Sequence, residues 1–250
     1  MRAMLKRLSL ALMLLLATAG VAEARCVILL HGLGRSDKSL LLLQGVLSRQ
    51  GYQVVSSAYP TDKAPLQDLV GYVDAAVAEC REPETVDFVT HSMGGILLRV
   101  WALKGENTAR IGRAVMLAPP NQGSELADIL LRSDTLAWLR GPSAIQLGTS
   151  DEAIAAQLPG VAFELGVIAG NDPNNPLTAL LIPGENDGLV SVESTRVEGM
   201  NDHIVLPVGH TMIMNSPVVI FEVQSFLAQG HFVAPPSWRV AMRRLLDGEW

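Results

Sequence analysis

Ser92 lies in Val86-Asp87-Phe88-Val89-Thr90-His91-Ser92-Met93-Gly94-Gly95, where a short apolar run meets a serine followed closely by two glycines. A serine hydroxyl is a weak nucleophile until a base takes its proton, so it must project from a fixed turn within reach of an imidazole. A strand reversing sharply into a helix supplies that turn, with Ser92 at its apex and Gly94 and Gly95 leaving room around it. Ile96, Leu97, Val100 and Trp101 follow at helical spacing, so the segment reads strand, turn, helix. It departs from the G-x-S-x-G pattern of such turns at Thr90, which stands where glycine is expected.

The base must be one of His31, His91, His203, His210 and His231. In an open parallel sheet, ligand-contacting groups gather beyond the carboxyl ends of the strands. His210 follows the last apolar run and is the expected base. His203 precedes that run, which puts it at the opposite end of the sheet. His91, beside Ser92, cannot easily turn its ring onto that hydroxyl, His231 reads as a surface residue, and His31 reads as a brace for its own loop. A carboxylate must hold the other imidazole nitrogen. Asp187 is the first choice, 23 residues before His210 in a turn-rich loop, with Asp172 in Gly170-Asn171-Asp172-Pro173 as the alternative. Either aspartate could instead be a turn residue bonding its own backbone, and Glu185 ranks below both.

Apolar runs at 27–30, 54–57, 86–89, 114–117, 165–168 and 204–208 predict buried parallel strands. Between them Leu66, Leu69, Val70, Val73, Ala76 and Val77 trace one face of a helix. Alternating strand and helix predict an α/β protein with a mostly parallel, doubly covered sheet. Residues 121–162 interrupt the pattern, and Leu126, Ile129, Leu130, Leu136, Trp138 and Leu139 would suit either an amphipathic cap over a cleft or an ordinary packing helix with a loop. The tail over 230–250, with Pro235-Pro236 and then Arg239, Arg243 and Arg244, reads as a peripheral helix, docked or in transient contact with a membrane surface.

The chain has 250 residues, 49% of them hydrophobic, enough for one domain over 25–250 with a large core. Arg2, Lys6 and Arg7 precede an uncharged leucine-rich run over 8–22, and Ala22-Glu23-Ala24 follows as an A-x-A cleavage pattern, so residues 1–24 read as an export signal to the periplasm or beyond. Removing them takes away three basic groups and Glu23, which leaves 16 basic against 24 acidic residues and a formal charge of −8. That charge argues against a nucleic-acid partner. Cys26 and Cys80 remain, and in an oxidising compartment they could form one disulfide or stay as two buried thiols. The histidines lack HExxH spacing and the cysteines lack a CxxC pair, so a metal is not expected.

His31-Gly32-Leu33-Gly34, Thr90-His91-Ser92-Met93-Gly94-Gly95, Ala118-Pro119-Pro120-Asn121-Gln122-Gly123-Ser124, Asn186-Asp187-Gly188-Leu189-Val190 and Gly209-His210-Thr211 together resemble, in order, the blocks of bacterial α/β-hydrolases of the secreted lipase and esterase type. That broad group includes triacylglycerol lipases and the lipase-like GPI inositol-deacylase domain. The resemblance implies an eight-stranded-type hydrolase sheet, a Ser92, Asp187, His210 triad, an oxyanion hole formed by the amides of Leu33 and Met93, and no cofactor. It implies hydrolysis of a small ester or lipid with an apolar acyl part. The same residues could serve a thioesterase, amidase or acyltransferase. A non-catalytic lipid-binding relative is the reading from another class.

Overall fold

Each of the six apolar runs forms one strand of a parallel sheet: β1 (Cys26–Leu30), β2 (Gln53–Ser57), β3 (Val86–His91), β4 (Ile111–Leu117), β5 (Glu164–Gly170) and β6 (Asp202–Leu206). The strand order is β2-β1-β3-β4-β5-β6, and every pairing between neighbours is parallel. The computed structural model describes residues 25–81, 84–132, 141–151, 153–173 and 179–248, with residues 130–132 described by their backbone alone. The export signal read over 1–24 therefore lies outside the described residues.

Alternate side chains of the strands feed two separate apolar layers, which explains why β1 and β3 are buried along their whole length. On one face Ile28, Leu30, Phe88 and Met116 pack with helices that follow β2 and β3, Leu66–Ala78 and Met93–Ala102, through residues such as Leu69, Val73, Leu97 and Trp101. On the other, Val27, Leu29, Val89 and Val115 meet the helices Leu41–Arg49 and Pro217–Gln229 through Leu43, Leu47, Val223 and Phe226. In chain order we call these helices α1 (Leu41–Arg49), α2 (Leu66–Ala78), α3 (Met93–Ala102), α4 (Glu125–Arg132), α5 (Pro142–Ile145), α6 (Ile154–Gln157), α7 (Pro217–Gln229) and α8 (Trp238–Asp247). Helix α8 docks on α7, burying Ala241 and Leu245 while Trp238 and Leu246 stay exposed.

Two expectations change. The described residues form a six-stranded sheet rather than an eight-stranded one, because the six apolar runs account for every strand in it. The last strand covers Asp202–Leu206 instead of 204–208, so His203 lies inside it. Pairing of Gly166 with Asp202 and of Gly170 with Leu206 sets that register, and Pro207, with no N–H to donate, follows the last paired residue. The long interruption between β4 and β5 contains α4, α5 and α6. Leu126 and Leu147 within it are buried, whereas Leu136, Trp138, Leu139 and the side chain of Leu130 lie outside the described residues.

Candidate active site

Ser92 sits between β3 and α3 with φ 53° and ψ −124°, a left-handed conformation rarely adopted by a residue with a side chain. The turn is held from both sides: the Ser92 N–H donates to the Leu117 carbonyl at 2.8 Å, and the Gly95 N–H donates to the Ser92 carbonyl at 2.9 Å. Helix α3 starts so close to the end of β1 that a Cβ on Gly94 would stand 2.5 Å from the Leu30 carbonyl oxygen. Thr90 is accommodated at the position where glycine was expected because residue 95 is itself glycine. A Cβ there would lie 3.3 Å from Thr90 Oγ1, which is fully buried and has no hydrogen-bond partner.

His210 Nε2 faces Ser92 Oγ at 3.0 Å, and His210 Nδ1 faces Asp187 Oδ2 at 2.7 Å. With Asp187 ionised, Nδ1 carries the proton and Nε2 is free to accept one from the serine. Asp187 is 2% exposed, and its other oxygen accepts the Leu189 and Val190 N–H groups at 3.0 and 2.8 Å. These donors fix the carboxylate without competing for the oxygen that meets the imidazole. The Asn186 amide steadies the loop by donating to the carbonyls of Ala179, Ile182 and Gly184. Backbone geometry locks base to acid as well, since the His210 N–H donates to the Asp187 carbonyl at 3.1 Å. Gly170, at the end of β5, permits this approach: a Cβ there would meet the Val208 carbonyl oxygen at 2.3 Å and Asp187 Cβ at 2.9 Å.

Asp172 is exposed, and so is Glu185. His203 contacts Thr195 Oγ1 at 2.9 Å near the start of β6, and His231 is exposed beyond α7. His31 stacks on Tyr59 at 4.1 Å between ring centroids and bonds the Gly32 carbonyl through Nδ1 at 3.0 Å. Burial lowers its pKa. The ring thus secures the loop that carries Leu33, one wall of the site. Met93 opens α3, where a helix leaves its first N–H groups without intrahelical acceptors. The Cys26 and Cys80 sulfurs are bonded, with 5.8 Å between their Cα atoms.

His91 does more than fill space. Its Nε2–H donates to the His210 carbonyl at 3.1 Å, and its ring lies 4.9 Å from that of His210. Burial, then the neighbouring His210, holds its pKa well below the usual histidine range, so the ring stays neutral. Gly32 is required beside it, because a Cβ there would stand 2.9 Å from His91 Nδ1. Arg99, in the otherwise apolar α3, was not singled out from sequence. It is 4% exposed and donates to the carbonyls of Asn121, Leu158 and Pro159 at 2.9, 3.1 and 3.1 Å, joining both ends of the interruption to the serine's helix. The signal was present as a lone charge on an apolar helical run.

Over Ser92 lies a cavity of about 150 Å³ with apolar walls from Leu33, Pro120, Leu126, Leu147 and Val190, which Arg35 also lines. Ala118, just after β4, has φ 47° and turns the chain toward Pro120. Among the described residues no three His, Cys, Asp or Glu side chains converge as a metal site.

Solved structures with this architecture include a lipase of Bacillus licheniformis in its mature form, with a TM-score of 0.67 and 18% identity over 85% of this chain and 94% of that one. A phospholipase of Legionella pneumophila gives a TM-score of 0.67 and 18% identity over 90% of this chain and 61% of that one. A metagenomic carboxyl esterase gives 0.60 and 18% over 77% of this chain and 66% of that one. Neither a protein-family model nor a curated protein matches the sequence. The protein has the α/β-hydrolase fold, and its structural neighbours are bacterial lipases and esterases.

Proposed function

We propose that this protein is a serine hydrolase cleaving carboxylic esters of short apolar acids. The reading rests on one observation: Ser92 Oγ, His210 and Asp187 form a continuous hydrogen-bonded chain beyond the carboxyl ends of the strands. His210 Nε2 takes the Ser92 proton as Oγ bonds to the ester carbonyl carbon. The Leu33 and Met93 amides stabilise the resulting oxyanion, each donor of this kind contributing about 3 kcal/mol. The intermediate expels the alkoxide, which takes its proton from His210. Water then attacks the acyl-enzyme, with His210 again the base, and releases the acid and free Ser92. The neighbours' names, lipase, phospholipase and carboxyl esterase, support ester chemistry for this fold.

A cavity of about 150 Å³ holds a ligand the size of benzene, so the acyl part expected here has about four to six carbons. A fluorophosphonate probe should label the wild type and not Ser92→Ala. On p-nitrophenyl esters of graded length, kcat/KM should peak near butanoate or hexanoate and fall by decanoate. A folded wild type that takes no label and cleaves no ester overturns the proposal. We place the mature protein outside the cytoplasm, a reading supported by the basic, apolar and A-x-A pattern over residues 1–24 and by the bonded Cys26 and Cys80.

A further inference from the structure

Arg35 and Leu33 belong to two spaces at once. One is the cavity over Ser92, and the other is an open cleft of about 420 Å³ whose far wall is residues 59–63, after β2. Arg35 Nη2 donates to the Thr211 carbonyl at 3.3 Å, one residue beyond His210. Its guanidinium is therefore tied to the loop that carries His210, the group that hands a proton to the departing alcohol. The chain after β4 lines the catalytic cavity with Pro120, Ser124, Leu126, Ala127 and Leu147, which carry no charge.

The charge of the cleft runs against that of the chain. The whole sequence has a formal charge of −6, yet Arg35 and Lys63 line the cleft against one carboxylate, Asp62. Among the described residues Arg35 forms no ion pair, and the Thr211 carbonyl is the one hydrogen-bond acceptor of its guanidinium. A guanidinium offers five N–H donors in a planar fork suited to paired oxygens of a carboxylate or phosphate. Thr61 adds a hydroxyl that already accepts the Gly34 N–H at 2.9 Å, which leaves its own proton available to donate. Two cations against one carboxylate over a cleft open to solvent, with guanidinium donors left free, suit an anion on the substrate.

We propose that this cleft is the leaving-group subsite, and that it selects esters whose alcohol part carries an anionic oxyacid group, phosphate or carboxylate, bound by Arg35 and assisted by Lys63. The inference rests on the ester-hydrolase reading above and adds the substrate class.

Three butanoyl esters test it, built on glycerol, glycerol 3-phosphate and glycerate, with kcat/KM measured at low and high salt. The wild type should prefer at least one anionic ester, and the preference should shrink as salt screens the cleft. Arg35→Gln should lower the anionic-to-neutral ratio about tenfold, equivalent to about 1.4 kcal/mol. Lys63→Gln, further from the serine, should lower it about threefold. Arg35→Lys should retain more of the ratio than Arg35→Gln. Preference for the phosphate or the glycerate ester identifies which oxyacid the cleft takes. The proposal is overturned if neither anionic ester exceeds the glycerol ester. It is equally overturned if Arg35→Gln slows all three alike while Lys63→Gln leaves the ratio unchanged, for then Arg35 merely holds the Thr211 loop. Cleavage of the glycerol ester in those cases leaves the hydrolase reading standing, whereas an unlabelled Ser92 with no ester cleaved removes both.

Discussion

Asp187 and Asp172 are alike in type and both follow β5, Asp172 by two residues and Asp187 by seventeen, so sequence proximity favours neither outright and what separates them is what each oxygen touches. Asp187 meets His210 Nδ1 with one oxygen and two backbone N–H groups with the other, whereas Asp172 is exposed. Asp187→Asn should lower kcat about 10²- to 10⁴-fold by favouring the wrong imidazole tautomer, and Asp172→Asn should stay within about twofold. Steady-state kinetics on one ester decides this, and the reverse ranking would make Asp172 the acid. His91 yields a pH prediction. Its pKa is depressed in the folded protein, chiefly by burial, so the unfolded chain binds the proton more tightly. The stability from keeping this ring neutral is complete above the unfolded pKa of about 6.5 and declines as pH falls below it. His31 and His203, also depressed by burial, act in the same direction. Urea unfolding between pH 7.5 and 5 should therefore show a steeper loss for the wild type than for His91→Asn. Equal slopes would remove His91 from this role.

At the scale of elements, Arg99 ties α3 to both ends of the segment between β4 and β5, so that segment is anchored where it leaves and rejoins the sheet. Replacing Arg99 by Leu strips one buried and two part-buried carbonyls of this donor and should cost about 2 kcal/mol in chemical denaturation. A loss below about 0.5 kcal/mol would show that water replaces the guanidinium without penalty. The strands were legible where both faces are covered, because a buried parallel strand must be apolar along its length, as Val27, Ile28, Leu29 and Leu30 are. β6 was misplaced by two residues because it is an edge strand, half-exposed over Asp202, His203, Ile204 and Val205, and so carries no such run at its start.

For the molecule as a whole, the Cys26–Cys80 bond ties β1 to the end of α2 across 54 residues of sequence. Closing a loop of that size restricts the unfolded chain and is worth about 4 kcal/mol in the loop-entropy treatment. Reduction, or the double change Cys26→Ser and Cys80→Ser, should lower the unfolding free energy by about 2 to 4 kcal/mol with little effect on kcat, since the bond lies at the sheet end away from Ser92. An unchanged denaturation midpoint would show that the bond adds nothing to the fold.

The sequence by itself determined the strand, turn and helix around Ser92, the α/β alternation, and the short list of histidines and aspartates able to serve the serine. Those features are local: apolar period follows burial, and small residues follow a crowded turn. Only the tertiary structure decided that Asp187 rather than Asp172 meets His210, that the His91 ring braces the His210 carbonyl, and that Arg35 reaches the Thr211 loop. Each of these depends on how segments distant in the chain are set side by side. Strand register and a few close approaches, such as Gly170 against Val208 and Gly32 against His91, establish that placement, and no local pattern records it.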